Sequence, residues 1–410
     1  MTKQTYVNAL SKAIADLRSE GQQEKELVLV HHNDADGISS AVALDVALSR
    51  EGYEVERIAL ERVHPPIIKR IHDRATPKPV IYTDLGGRAA PLICSANQDR
   101  SFTLILDHHP AELSVSDRVL CLSTELFGLS GEKEISAATG ATIFAQAMSR
   151  ENSDLSYLGV IGALGDSHDR EGRLVGENRD AMLNAVARGD VDCEEKSGRE
   201  LYTLTRFGSR IPMQPFAKSL TTLGAAGYAM GGPETAVDAC LHGSTAGYEE
   251  KLAELTALKD ERFGKEIARL QSGAIAQTTH IQWFSVGDGF APMGVKIIGE
   301  FCMDIRDESF MADAKYIAGF QDMPTEVPGL GTFSWDLVKI SMRVPTPLGQ
   351  KIIEGTMPGL DWLLPEAALR VGGSIDACHG YAAAALIPRG RETELVALMN
   401  ELLTRKGIQP

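Results

Sequence analysis

The chain has 410 residues, which is more than one hydrophobic core usually holds, so two or three domains are expected. Its formal charge of −15 argues against a long, non-specific grip on duplex nucleic acid, because such binding normally requires a net basic face. A short basic groove, a small anionic substrate or metal-binding acids remain compatible with that charge. No apolar run approaches the ~20 residues of a membrane span. The polar N-terminal segment lacks the apolar core of a signal peptide, so a cytoplasmic protein is expected.

Apolar and amphipathic segments alternate along the first part of the chain. The pattern predicts strands at 27–32, 53–59, 80–83 and 102–106, and helices at 38–49, 65–74, 136–149 and 155–164. Strands that alternate with helices in this way indicate an α/β fold with a parallel, doubly wound sheet.

The rest of the chain changes in character twice. Residues 191–275 are expected to form a helical connector, with one long amphipathic helix over 248–271. After Gly273 the pattern returns to strands at 281–286, 314–320 and 337–344, followed by helices at about 361–370 and 391–405. We therefore expect a first domain over 1–190, the connector, and a second, smaller α/β domain over 276–410.

Acidic and imidazole side chains stand where the predicted elements of the first domain end. The turns that carry them are His32–Gly37, Asp84–Gly87, Asp107–Pro110 and, after a helix, Gly162–Asp166. In an open parallel sheet the carboxyl ends of the strands line the ligand crevice. We therefore expect these four turns to meet at one edge of the sheet.

Such a meeting would concentrate five carboxylates, with several imidazoles among them. The carboxylates are Asp34, Asp36, Asp84, Asp107 and Asp166. Packed anions are unfavourable unless they are protonated or neutralised, and no Lys or Arg lies within these turns. A pair of divalent cations would neutralise them, and carboxylate and imidazole ligands favour manganese or magnesium over structural zinc. Two such ions about 4 Å apart can activate a water and stabilise the leaving oxygen of a phosphoester.

The four turns also resemble the motifs of a known family. HNDADG, DLGG, LDHHP and GALGD look like the four motifs of the DHH phosphoesterase superfamily, in its RecJ-like nuclease branch. The connector stretch GRELYTLTRFGSRIPMQPFAKSL looks like that of archaeal-type members. The resemblance implies a DHH catalytic domain over 1–190 and a DHH-associated substrate-binding domain from about residue 276.

The resemblance also implies a role for each residue of the cluster. His32 and Asp34 would hold one divalent ion, Asp36, His108 and Asp166 the other, and Asp84 would bridge the two. His109 would face the scissile phosphate as a charge stabiliser or acid, and Asp107 would orient a histidine. Manganese is the expected metal, with magnesium the alternative.

Two neighbours of the motifs need a separate interpretation. Regular alternation along the first strand points His31 and His32 to opposite faces, so His31 is expected to be structural. His168 and Asp169, just past Asp166, are left open as residues at the edge of the site.

The second domain is expected to bind the substrate. The family's C-terminal domain carries a Gly-Gly-His-x-x-Ala-Ala signature that binds the phosphate end of the substrate, beside a Ser-x-Arg strand. The residues that this resemblance implies are Ser341, Arg343, Gly372, Gly373 and His379. The chain departs from the signature in one respect, because Ala377-Cys378 stands where a Gly pair usually precedes the histidine, and Gly372-Gly373 lies further upstream.

These features together predict a two-metal-ion phosphodiesterase that hydrolyses single-stranded DNA or RNA from an end, in a cleft between two lobes. A first alternative is a phosphodiesterase of short oligonucleotides, linear or cyclic dinucleotides, or polyphosphate. A second alternative is a non-catalytic replication scaffold, although such relatives tend to lose metal ligands and here every ligand position holds a capable residue. Single-stranded nucleic acid, and replication or repair proteins, are the expected partners.

Overall fold

The computed structural model describes residues 3–20, 25–74, 76–113 and 116–407. The chain divides into two compact units. The first contains Met1–Ala253 with the short return Pro328–Gly331, and the second contains Glu254–Val327 with Thr332–Pro410.

A five-stranded parallel sheet forms the centre of the first unit. Its strands are β1 (Glu26–His32), β2 (Glu54–Leu60), β3 (Val80–Thr83), β4 (Thr103–Leu106) and β5 (Val119–Cys121). They lie in the order β2-β1-β3-β4-β5, and every neighbouring pair is parallel. The order reverses beside β1, so the crevice for a ligand is expected between the carboxyl ends of β1 and β3. The predicted doubly wound α/β sheet is confirmed.

Helices surround this sheet. They are α1 (Lys3–Glu20), α2 (Ala35–Arg50), α3 (Pro65–His72), α4 (Ala90–Asn97), α5 (Ala137–Met148), α6 (Ser156–Gly165) and α7 (Gly176–Ala187), with 3-10 turns at Thr124–Phe127 and Arg150–Leu155. The α2, α5 and α6 helices pack closely, because alanine, glycine and serine make up most of the buried residues of α2 and of α5, and Gly159, Gly162 and Ala163 lie among those of α6.

The segment after α7 begins with strands. A three-stranded antiparallel sheet consists of β6 (Val191–Lys196), β7 (Arg199–Leu204) and β8 (Ile211–Pro212), and the helices α8 (Met213–Ala226), α9 (Gly232–His242) and α10 (Ala246–Gln271) follow it. The expected connector is therefore helical only after residue 212. Ser197 and Gly198 both adopt positive φ angles, which a two-residue hairpin turn between β6 and β7 requires.

The second unit is built on a mixed six-stranded sheet in the order β15-β16-β14-β11-β10-β9. Its elements are β9 (Ala276–Gln277), β10 (Ile281–Gly287), α11 (Ile297–Asp304), β11 (Tyr316–Asp322), β12 (Glu326–Val327), β13 (Gly331–Thr332), β14 (Leu337–Arg343), α12 (Thr346–Ile353), α13 (Leu360–Ala368), β15 (Ser374–Cys378), β16 (Ala382–Pro388) and α14 (Glu392–Arg405). The even-numbered residues of β14 face one core, so its odd-numbered residues face the α11 side. Among the described helices, none combines the length and the apolar composition needed to cross a bilayer.

Candidate metal centre

The turn from β1 into α2 brings two of the predicted ligands together. Asp34 is the N-cap of α2, and its Oδ1 accepts a hydrogen bond from the Gly37 amide at 3.1 Å. Its other oxygen lies 2.9 Å from His32 Nδ1. The turn depends on glycine, because a Cβ on Gly37 would lie 2.4 Å from the His32 carbonyl oxygen.

Asp84 occupies the centre of the cluster. It directly follows β3 and has a φ of 61°, in the left-handed region that side chains rarely adopt. Its amide donates to the Leu106 carbonyl at 3.0 Å, which ties this turn to β4. One carboxylate oxygen lies 3.2 Å from His32 Nδ1, and the other lies 3.2 Å from His108 Nε2. Asp84 thus stands between the two histidines, with one oxygen toward each.

His108, after β4, points a ring nitrogen at three carboxylates. Its Nδ1 donates to the Gly131 carbonyl at 2.7 Å, which leaves the Nε2 lone pair directed into the cluster. Besides Asp84, the Nε2 atom lies 3.3 Å from Asp166 and 3.7 Å from Asp36. The Gly131 loop packs directly on His108, since a Cβ at Gly131 would lie 1.7 Å from the His108 carbonyl oxygen.

Asp36 has a structural role that the motif did not reveal. Its side chain is fully buried, and its two oxygens accept the amides of Ala137 and Ala138 at 2.7 and 2.9 Å, at the start of α5. Each oxygen has a second lone pair for a metal. Burial, and then the charges of Asp166 and Asp84, raise the pKa of Asp36 well above its usual range.

Asp166 closes the cluster from the C-terminal end of α6. Burial raises the pKa of Asp166 to about 6, the charge of His108 opposes this rise, and Asp34 and Asp84 add to it. Burial lowers the pKa of the His108 ring, but the surrounding carboxylates outweigh it and raise that pKa well above its usual range. The raised pKa values of Asp36 and His108 favour their protonated forms, and a bound cation would displace those protons.

The Asp107 carboxylate accepts hydrogen bonds from neighbouring residues, among them His108 and His109. Its Oδ1 accepts the amides of His108 and His109 and the Nδ1–H of His109, at 2.8, 3.2 and 2.9 Å, and its Oδ2 accepts the Gly87 amide at 2.8 Å. Burial raises the pKa of Asp107, but His109 and these hydrogen bonds lower it far more. The His109 side chain is 41% exposed, so its other nitrogen is available to a ligand.

His31 and the residues after Asp166 have different surroundings. His31 is buried, and its Nδ1 donates to the His32 carbonyl at 2.7 Å. Burial lowers the pKa of His31 to about 4. His168 is also buried and lies beside the cluster, whereas Asp169 accepts a hydrogen bond from Gln214 of α8. Burial, and then His108 and Arg170, lower the pKa of His168 to about 3.

The residues of the cluster fit divalent cations. Asp84 Oδ1 and His108 Nε2 are buried, and neither atom has a hydrogen-bond partner in the part of the chain that the structure describes. Three groups around them offer ligand atoms within 4.8 Å of one another, namely His32 with Asp34 and Asp84, Asp84 with His108 and His109, and His108 with Asp166 and His168. Buried acceptors without a donor, on carboxylate and imidazole groups, suit manganese or magnesium.

Three of the predicted substrate-binding residues come together in the second unit. Ser341 Oγ and Arg343 Nη2 would each lie 3.0 Å from a Cβ on Gly299 of α11, so both face that helix. Ala382 pairs with Arg343 across β14 and β16, and its carbonyl accepts the His379 amide at 2.8 Å. His379 is thus in the tight turn beside the Arg343 end of β14.

Gly372 and Gly373 lie elsewhere. Gly372 has a φ of 75° and ends the 3-10 turn Leu369–Val371. A Cβ at Gly373 would lie 2.6 Å from the Leu386 carbonyl oxygen, near the opposite end of β16 from Ala382. The positive φ explains Gly372 and close packing explains Gly373, and the structure does not bring them to Arg343.

Sequence reasoning missed the residues that position the cluster. Gly131 fixes the His108 ring, Asn178 contacts His168, and the Thr221 hydroxyl of α8 accepts the Ala35 amide at 3.2 Å. Gly131 and Asn178 lie outside every motif, and Thr221 follows directly after the connector stretch, so only distances in three dimensions could have linked them to the cluster.

Comparison with known proteins identifies the fold. No protein-family model and no curated protein sequence matches the chain. Among solved structures, RecJ of Thermus thermophilus in complex with Mn2+ matches 97% of this chain with a TM-score of 0.61 at 14% identity. The DHH domain of a protein described as a member of a family of ribosomal proteins matches all of the chain and 92% of its own, with a TM-score of 0.61 at 14% identity. CDC45 of Entamoeba histolytica matches 97% of this chain and 99% of its own, with a TM-score of 0.60 at 11% identity.

This chain spans only 55% of the length of the Thermus protein. Identities this low establish the fold alone. The motifs that suggested the resemblance and the topology agree on the same architecture. The chain shares its fold with RecJ and with that DHH domain.

Proposed function

We propose that the chain is a two-metal-ion phosphodiesterase, and specifically a RecJ-like exonuclease that hydrolyses single-stranded DNA or RNA from an end. The observation that carries the proposal is the position of Asp84, whose two oxygens face His32 and His108 in a buried group of acids. Among the described residues, every ion pair of Asp36, Asp84 and Asp166 is with a histidine. Such a cluster lacks the cation that its charge requires.

The proposed ligands divide into two sets. His32 and Asp34 would hold one ion, Asp36, His108 and Asp166 would hold the other, and Asp84 would bridge them. The Gly131 carbonyl supports this assignment, because it fixes His108 in the tautomer that a metal ligand requires. Manganese is the proposed metal and magnesium the alternative, since both accept mixed oxygen and imidazole ligands.

Bound divalent ions would neutralise the phosphate and lower the pKa of a water at the site. The chain's own residues would then orient the reaction. Asp107 holds the His109 ring by Nδ1 at 2.9 Å, so that its exposed edge can face the scissile phosphate. Partial desolvation lowers the pKa of His109, but the charge of Asp107 outweighs it and raises that pKa, which favours a charged ring that stabilises the phosphate or protonates the leaving oxygen.

Arg343 is the residue that we propose binds the phosphate of the substrate. Its Nη1 donates to the Met342 carbonyl at 2.8 Å, but its buried Nε has no partner in the described chain. Burial lowers the pKa of this guanidinium. A guanidinium whose buried Nε lacks a partner among the described residues is a favourable site for an anion, and Ser341 and His379, on and beside the same strand, would add hydrogen bonds.

The test compares wild type with Asp84→Ala and with a control, Asp260→Ala, on the exposed face of α10. With manganese and end-labelled single strands of DNA and RNA, wild type and control should release nucleotides, and EDTA should abolish the reaction. Asp84→Ala should lose at least about a thousandfold in rate with its circular dichroism spectrum unchanged, because both ions lose a ligand. Full activity of Asp84→Ala in EDTA would refute the proposal.

The same assay separates the substrate classes. A dinucleotide, a cyclic dinucleotide, polyphosphate and a long single strand are offered in turn. Faster hydrolysis of the long strand supports the exonuclease. Preference for the shortest substrate, or for polyphosphate, would replace it with the corresponding small-molecule phosphodiesterase.

A further inference from the structure

His168 lies next to the cluster, yet neither the proposed ligand sets nor the proposed grip on the substrate uses it. The side chain is 4% exposed. One of its ring nitrogens lies within 4.8 Å of ligand atoms of both His108 and Asp166, and the centroids of the His108 and His168 rings are 5.9 Å apart. By distance alone, His168 would be a further metal ligand.

The orientation of Asn178 decides between a ligand and a different role. Asn178 is fully buried, and its Oδ1 accepts the Ser136 amide at 3.0 Å and the Thr139 hydroxyl at 2.7 Å. A backbone N–H can only donate, so the oxygen of this side-chain amide must face Ser136. The Asn178 Nδ2 group therefore points at His168 Nδ1, 2.8 Å away, and also donates to the Lys133 carbonyl at 3.3 Å.

The tautomer of His168 follows from this contact. Nδ2 of an amide is a donor only, so Nδ1 of His168 must accept the hydrogen bond. The neutral ring then carries its proton on Nε2. Within the described residues, Nε2–H has no acceptor.

This arrangement is the reverse of the one at His108. There, Nδ1–H donates to the Gly131 carbonyl and the other nitrogen has a lone pair for a cation. A histidine that ligates a metal normally donates its second nitrogen in this way. His168 accepts on one nitrogen and presents N–H on the other, so it would meet a cation with a proton rather than a lone pair.

We propose that His168 is a catalytic residue that donates a hydrogen bond from Nε2–H to a phosphoryl oxygen of the substrate, and is not a metal ligand. The inference rests on the proposed function, because the substrate supplies the acceptor that the chain lacks. A fixed donor beside the cations would stabilise the charge that develops on the phosphoryl oxygens. Asn178 acts as the positioning residue, since it sets which nitrogen carries the proton.

The first test reads the tautomer without any activity. The full chain is labelled with ¹⁵N-histidine, and the ring signals of His168 are assigned by their loss in His168→Gln. We expect a protonated Nε2 and an unprotonated, hydrogen-bonded Nδ1. A proton on Nδ1 with Nε2 free would overturn the proposal, because that tautomer is the one a metal ligand adopts.

The second test separates donor from ligand by metal content and rate. His168→Leu and His168→Gln are compared with His242→Gln, an exposed histidine of α9. Manganese bound at equilibrium dialysis should be the same in all variants, and loss of an ion in either His168 variant would overturn the proposal. The kcat of His168→Leu should fall about a hundredfold, and His168→Gln, which keeps an N–H donor, should recover part of it.

The outcomes for this inference and for the proposed function remain distinct. A wild type that hydrolyses no phosphodiester refutes the proposed function and, with it, the substrate contact of His168, while tautomer and metal content still report on whether His168 is a ligand. A wild type that is active, beside a His168→Leu variant with unchanged kcat and KM, refutes only the role of His168.

Discussion

The adjacent histidines His108 and His109 both donate a hydrogen bond from Nδ1, but their surroundings differ. His108 donates Nδ1–H to the Gly131 carbonyl and turns its other nitrogen to the acids, whereas His109 donates Nδ1–H to Asp107. Both rings donate Nδ1–H, so the surroundings of the other nitrogen separate them: His108 Nε2 faces three carboxylates, whereas the His109 side chain is 41% exposed. Asp107 has a positioning role, because the four hydrogen bonds that its carboxylate accepts leave few lone pairs for a cation.

Replacement of Asp107 by asparagine tests this division of roles. Asp107→Asn removes the negative charge that holds and charges the His109 ring, and we expect kcat to fall about a hundredfold or more. Manganese binding should change little, because Asp107 is not among the proposed ligands. Equilibrium dialysis and steady-state kinetics measure the two effects. Loss of metal together with activity would show that Asp107 ligates an ion.

His72 provides a pH dependence that is independent of the cluster. It is buried beside Tyr82, with Nε2 3.0 Å from the phenol oxygen. Burial, and then the charge of Arg100, lower the pKa of His72 to about 4, against about 6.5 in an unfolded chain. Between these values only the unfolded state takes up the proton, so stability falls as the pH falls through this window.

His72→Gln should weaken that dependence. For wild type, the His72 contribution to the free energy of unfolding decreases by about 2 kcal/mol from neutral pH to about pH 5. The other titrating groups are the same in both proteins, so the difference between the two proteins isolates His72. Urea unfolding at the two pH values measures it. An identical pH dependence in wild type and variant would contradict the assignment.

At the residue scale, the motifs predicted which side chains gather in the cluster, but not the contacts that hold those side chains in place. The motifs predicted that His32, Asp34, Asp84 and His108 would meet, and in the structure His32 lies within 3.2 Å of Asp34 and Asp84, and Asp84 lies 3.2 Å from His108. They could not predict that Asp36 also caps α5, because Ala137 is 101 residues away and carries no motif. The ligand roles themselves stay predictions.

Close backbone contacts position the elements around the cluster. The α8 helix touches the turn after β1 at Gly224, where a Cβ would lie 1.6 Å from the Asn33 carbonyl oxygen. Asn33 Nδ2 donates to the Gly224 carbonyl at 2.9 Å, and Thr221 accepts the Ala35 amide. An element of the connecting segment thus fixes the turn that carries His32 and Asp34.

Gly224→Ala should disturb that turn. The added methyl group cannot fit against the Asn33 carbonyl, so we expect a loss of about 1–3 kcal/mol in stability and weaker manganese binding. The matched control is Gly264→Ala in α10, where no atom lies within 4 Å of the new Cβ. This control should gain up to about 1 kcal/mol, because alanine favours a helix over glycine. Unchanged metal affinity in Gly224→Ala would show that α8 does not position the turn.

Element boundaries in the chain were predictable where apolar periodicity was strong. The predicted strand at 27–32 is β1, and the predicted long helix at 248–271 is α10, which begins at Ala246. The hairpin of β6 and β7 was missed, because its sequence CEEKSGRE is charged and half-exposed and carries no apolar alternation. Its β pattern comes from cross-strand pairing instead.

At the scale of the whole molecule, strand order determines where the acids gather. The order β2-β1-β3-β4-β5 places β1 next to β3 and β3 next to β4, so that three of the four turns leave neighbouring strands. The sequence could predict that these turns meet at one edge, but not which strands are neighbours. That order depends on long-range pairing, which no local pattern contains.

Divalent metal should therefore stabilise the folded protein. The folded state gathers the carboxylates of Asp36, Asp84 and Asp166 around His108, and the unfolded chain disperses them. A ligand that binds only the folded state adds RT ln(1 + [L]/Kd), or about 3 kcal/mol at a hundred times Kd. Manganese should raise the midpoint of thermal unfolding relative to EDTA.

Two variants show whether this stabilisation comes from the cluster. Asp84→Ala should lose most of the shift in the unfolding midpoint, because the proposed bridging ligand is gone. Arg343→Gln, a change in the second unit, should keep the full shift, since Arg343 is not among the proposed metal ligands. Differential scanning calorimetry in manganese and in EDTA measures all three proteins. An equal shift in wild type and Asp84→Ala would mean that the stabilising ions bind elsewhere, and the proposed metal centre would then be wrong.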